Sequence, residues 1–72
     1  PEFIKIDMSL IRNINIDATK QSIVQVICDL SKRIESRLIA EGIETEEEYN
    51  TLFSIGVEYA QGYLFAKPAE YA

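Results

Sequence analysis

The sequence predicts an α/β fold of about three parallel strands and two main helices, and three observations carry that expectation. A short β-branched run, a short apolar run and a third segment centred on Tyr59-Ala60-Gln61 read as strands. Between the first two lies a long stretch with helical periodicity, and before the third a shorter one with clear start and stop signals. The order is strand, short helix, helix, strand, helix, strand, and strands that alternate with helices pair in parallel through right-handed crossovers.

Phe3-Ile4-Lys5-Ile6 reads as the first strand, with Asp7 and Ser9 as polar punctuation. Residues 9–14 fit one helical turn or two, and Asn13-Ile14-Asn15-Ile16-Asp17 reads as a loop. A long amphipathic helix is expected over 18–35, where Ile23, Ile27, Leu30 and Ile34 recur at helical spacing and Val24, Val26 and Cys28 widen the stripe. Lys20, Gln21, Gln25, Asp29, Lys32 and Arg33 supply its outward face. Arg37-Leu38-Ile39-Ala40 is the second strand, closed by Glu41-Gly42. Thr45 with Glu48 three residues on makes a capping box, and the acidic run Glu46-Glu47-Glu48 complements the helix dipole as a solvated helix start. Tyr49, Leu52, Phe53 and Ile55 mark that helix's apolar face, and Gly56 stands where a left-handed cap belongs. The third strand falls within 57–65, before Ala66-Lys67-Pro68 breaks the pattern.

Composition narrows the function. Seventy-two residues hold one small core at most, and 47% hydrophobic with 26% charged residues is globular rather than disordered. Seven Lys and Arg against twelve Asp and Glu leave a net charge of -5, which disfavours a nucleic-acid polymer or an anionic membrane surface as partner. A phosphate-bearing ligand would need bound cations to screen the repulsion. The chain has no His, so no imidazole of its own enters a mechanism, and its single Cys28 excludes an internal disulfide. Inside an apolar stripe, Cys28 is expected to be a buried, inert thiol. No apolar run approaches a membrane span, and a cytoplasmic setting fits. Open sheet edges and a near-zero balance of burial against chain entropy mark the chain as a slice of something larger.

Alternation along the strands selects candidate site residues. Ile4 and Ile6 share one face, with Phe3, Lys5 and Asp7 on the other; Leu38 and Ala40 oppose Ile39 and Glu41; Tyr59, Gln61 and Tyr63 align together. Lys5, Glu41 and Gln61 thus come at or near the carboxyl ends of their strands, where parallel α/β sheets and barrels carry ligand chemistry.

Phe3-Ile4-Lys5-Ile6-Asp7, Ala40-Glu41-Gly42-Ile43-Glu44-Thr45 and Gln61-Gly62-Tyr63-Leu64-Phe65, in this order and spacing, closely resemble the C-terminal part of the EAL domain, a family of bacterial cyclic di-GMP phosphodiesterases. The resemblance implies a partial (β/α)₈ TIM-type barrel, with residues 1–72 as the C-terminal portion, about the last third and its sixth to eighth strands. It implies metal-assisted hydrolysis of cyclic di-GMP to linear pGpG with Mg²⁺ or Mn²⁺. Residue by residue, it makes Lys5 and Glu41 catalytic, with Glu41 also a metal ligand, Gln61 and Glu44 substrate-binding, and Asp7 a lesser metal-ligand candidate. The family's signature Glu-Ala-Leu segment, paired aspartates and remaining metal ligands would precede Pro1, so the isolated chain is expected to be inactive. Two other classes stand beside this one: a module that binds cyclic di-GMP without cleaving it, and a structural fragment that self-associates through its open sheet edges.

Overall fold

The computed structural model describes residues 3–62, with side chains through Glu58. Strand β1 (Phe3–Ile6) leads into the short helix α1 (Met8–Ile11), a 3₁₀ turn (Ile14–Ile16) and the long helix α2 (Ala18–Arg33). Strand β2 (Arg37–Ile43), helix α3 (Glu46–Ile55) and strand β3 (Tyr59–Gly62) follow. The sheet runs β1-β2-β3 with both pairings parallel, as expected from the alternation of elements. The core is built on the sheet: Ile6, Leu38 and Ala40 pack under Ile11, Ile14, Val24, Cys28, Ile43, Leu52 and Val57. Ile39 is buried but outside that cluster, as alternation requires of a residue on the opposite face.

Helix ends are chemically specified. Asp17 caps α2 by accepting from the Lys20 N–H at 3.0 Å, and Thr45 caps α3 by accepting from the Glu48 N–H at 3.0 Å. Both helices close in the same paired pattern. Ser36 N–H donates to Ser31 O and Glu35 N–H to Lys32 O after α2; Val57 N–H donates to Leu52 O and Gly56 N–H to Phe53 O after α3. That pattern needs a left-handed residue just past the helix, which is Gly56 (φ +117°) in one case and Glu35 (φ +59°) in the other. The reversal at Glu35 is why α2 stops at Arg33, two residues short of the expected end.

Only one side of the expected apolar stripe of α2 is its buried face, and Ile27 is partly buried against the core. Val24, Cys28 and Ser31 are buried against the core, whereas Ile23, Val26, Leu30 and Ile34 are exposed. At roughly 100° per residue these four lie together on one flank of the helix. The other flank, with Gln21, Gln25 and Lys32, faces Ile55 at the end of α3 and Gly56 just past it across two surface depressions. On α3 the counterpart is Phe53, 67% exposed and stacked on Tyr49 with ring centroids 6.1 Å apart, on the flank away from Ile55. The two-helix layer therefore presents apolar side chains on both outer flanks. Cys28 is buried, with its Sγ donating to Gly56 O at 3.5 Å.

Strand β2 runs three residues beyond its expected close, through a bulge. Ala40 pairs with Ala60 and Ile43 with Gly62, so Glu41 and Gly42 together face the single residue Gln61. Gly42 has φ +79°, and a Cβ placed there would meet Met8 Cβ at 2.5 Å. The loop expected at 13–17 contains the 3₁₀ turn, entered through left-handed Asn13 (φ +62°), which buries Ile14.

Two substitutions test the helix closures by urea denaturation of the folded domain. Glu35→Gly is expected to raise stability by about 1 kcal/mol, the cost of left-handed backbone to a residue bearing a Cβ. Gly56→Ala is expected to lower it by at least about 1 kcal/mol, because the same strain is joined by a 3.3 Å contact with Cys28 Sγ.

Candidate functional site

The parallel register brings the carboxyl ends of β1 and β2 side by side. Lys5 pairs with Ile39 and Ile6 with Ala40, so the next β2 side chain on the Lys5 face is that of Glu41. Lys5 Nζ lies 3.6 Å from Glu41 Oε2, with the two side chains 64% and 38% exposed. At that exposure the pair contributes at most about 1 kcal/mol to stability. Its interest is placement: an amine and a carboxylate meet at one strand-end mouth, outside the hydrophobic core.

The remaining expected residues take different positions. Asp7 caps α1, its Oδ2 accepting from the Ser9 N–H at 2.9 Å. The Ser9 hydroxyl and then its N–H hold the Asp7 carboxyl below its ordinary range, against a small opposing effect of desolvation. Glu44 is exposed just past β2 and pairs with Arg12 Nη1 at 3.2 Å. Gln61 lies in β3 opposite the Glu41-Gly42 bulge, and its side chain is outside the described residues. Among the described residues no three His, Cys, Asp or Glu side chains converge closely enough to hold a metal ion. Glu41 offers the hard oxygen donor that Mg²⁺ or Mn²⁺ prefers, and one such carboxylate is a fraction of a coordination shell.

Two residues central to this corner were not among the candidates. Glu48, expected to be solvated, is 2% exposed. Its Oε1 accepts from the Glu44 N–H and its Oε2 from the Asn13 N–H, each at 3.0 Å. Arg12 Nη1 reaches the same carboxylate at 3.3 and 3.4 Å, while Arg12 Nη2 donates to Gly42 O at 3.2 Å. Burial pushes the Glu48 carboxyl up, but the Glu44, Asn13 and Thr45 N–H groups and the Arg12 guanidinium outweigh it, holding the pKa below the ordinary 4.5. The capping-box spacing was the available signal: a Glu at that position turns back toward the helix start, and here it passes the cap and takes in a second loop.

A parallel sheet slice with helices on one face and a charged pair at the strand ends is the architecture of a (β/α)-barrel fragment. Residues 1–68 match the EAL domain, and the chain belongs to that family. It is 40% identical over 68 residues to a probable cyclic di-GMP phosphodiesterase of Escherichia coli strain K12, PdeD, covering 94% of this chain and 13% of that protein. Among solved structures, the manganese and cyclic di-GMP complex of BlrP1 from Klebsiella pneumoniae is similar with a TM-score of 0.87 at 41% identity, covering 89% of this chain and 16% of that one. The cyclic di-GMP-bound form of a standalone EAL protein from Vibrio cholerae O395 gives a TM-score of 0.87 at 42% identity, covering 92% and 28%. The chain thus spans less than a third of any of these three. Among the described residues, no helix is long and apolar enough to cross a membrane.

The depressed pKa of Glu48 fixes a sign. Its contribution to stability is present above the ordinary 4.5 and is lost as pH falls through the lower folded value. Glu48→Gln is expected to cost about 1–3 kcal/mol at neutral pH and to flatten the acid limb of the stability profile, read by urea denaturation across pH.

Proposed function

We propose that this chain is the C-terminal portion, about the last third, of an EAL barrel, residues 1–72 supplying its sixth to eighth strands, and that the longer protein hydrolyses cyclic di-GMP to linear pGpG. The observation that carries the reading is the Lys5–Glu41 pair at the shared strand-end mouth. The apolar flanks of α2 and α3 support the placement. Ile23, Val26, Leu30 and Ile34 on one side and Phe53 on the other are suited to neighbouring helices of a continuous ring rather than to water.

The chemistry follows from the side chains. Lys5 presents three donors to phosphate oxygens or to the attacking water, in a chain whose net charge of -5 otherwise repels the ligand. Glu41 supplies a carboxylate oxygen to a divalent cation, Mg²⁺ or Mn²⁺, or accepts a proton from the water. Such a cation, when bound, activates water and neutralises charge developing on the phosphate. Glu44 and Gln61, just past β2 and within β3, are assigned to substrate, and Asp7 to a minor part in metal binding. A cytoplasmic location accords with the single buried thiol of Cys28.

The test is hydrolysis of cyclic di-GMP by the full-length protein with Mg²⁺ or Mn²⁺. Glu41→Ala and Lys5→Ala are each expected to lower kcat by at least about 100-fold. Turnover that survives both substitutions overturns the reading, and tight binding without turnover in the unsubstituted protein assigns it instead to a non-catalytic binding module. Calorimetry on the 72-residue chain alone is expected to register no cyclic di-GMP binding.

A further inference from the structure

Regular strand pairing is interrupted at Glu41 and resumes only at Ile43. The last β1–β2 partners are Ile6 and Ala40, and the bulge removes Glu41 and Gly42 from regular pairing with β3. A further constraint on these residues comes from the side. Arg12 Nη2 holds Gly42 O at 3.2 Å, and Arg12 is oriented by the buried Glu48 carboxylate. The same carboxylate accepts from the Glu44 N–H beyond the bulge and from the Asn13 N–H in the connection after β1. One buried carboxylate and one guanidinium therefore join the loop that follows the Lys5 strand to the loop that follows the Glu41 strand.

We propose that Arg12 and Glu48 are positioning residues for the Lys5–Glu41 pair, fixing the peptide after Glu41 so that its carboxylate stays at the height of Lys5; this rests on the functional reading above. Neither residue pairs with the side chain of Lys5 or Glu41, although Arg12 also pairs with Glu44. Arg12 reaches the backbone one residue past Glu41, and Glu48 reaches it three residues past, through Glu44 N–H. A displacement of about 1 Å at a reacting group costs on the order of 100-fold in rate, so a fixed bulge matters more to kcat than to substrate affinity.

The experiment compares Arg12→Ala, Glu48→Gln and Leu52→Ala in the full-length protein, each checked by circular dichroism to be folded at the assay temperature. Leu52 is buried in the same core without contacting the bulge through a hydrogen bond, so its truncation reports loss of stability alone. Arg12→Ala and Glu48→Gln are expected to lower kcat on the order of 100-fold with KM changed less than about threefold, while Leu52→Ala leaves kcat within about twofold. If Glu48→Gln does not fold, Arg12→Ala decides, since Arg12 is partly exposed. Unchanged kcat in Arg12→Ala, or an equal loss in Leu52→Ala, overturns the positioning role. Unsubstituted protein without turnover overturns the functional reading and this proposal with it, whereas turnover abolished by Glu41→Ala and untouched by Arg12→Ala overturns the positioning role alone.

Discussion

The buried carboxylate of Glu48 is the constraint on which the strand-end corner depends. An ionised group taken out of water is tolerated only when its lone pairs are met, and here two backbone N–H groups and a guanidinium meet them. Those partners come from two places in the chain: the consecutive residues Arg12 and Asn13 just past α1, and Glu44 just past β2. Losing any one leaves charge uncompensated in a low-dielectric site, so the loops are held as a set. The Coulombic attraction between Lys5 and Glu41, more exposed and longer at 3.6 Å, contributes little to that order and depends on it.

Much of the architecture was legible because local signals and the global fold agree. The capping threonine, the left-handed glycine and the alternation of short strands with helices each pointed to the element that forms. The juxtaposition of Lys5 and Glu41 was legible for the same reason: two-residue alternation and parallel pairing suffice to align them. The roles assigned to those residues belong to chemistry that strand geometry does not specify.

What was not legible has physical causes. Apolar spacing on α2 identified a stripe, but periodicity does not say which neighbour a stripe meets; the sheet took Val24 and Cys28, leaving Ile23, Leu30 and Ile34 on the flank. The end of α2 leaves no sequence signal because Glu35 adopts a backbone conformation that its side chain disfavours. By sequence Glu48 reads as one of three solvated glutamates, because its burial depends on Arg12 and Asn13, more than thirty residues earlier in the chain. The bulge in β2 escaped because Glu41-Gly42 carries the same residue types as a turn.

That bulge also resets the parity of β2. Under strict alternation Ile43 would share a side with Ile39 and Glu41, yet it packs with Leu38 and Ala40 in the helix-covered core. The extra residue lets one strand send an acid outward and, two positions later, an isoleucine inward. Chain length at this spot is thus as informative as residue identity: excising a single residue beside position 42 would exchange the destinations of everything downstream in the strand, even with every remaining side chain conserved.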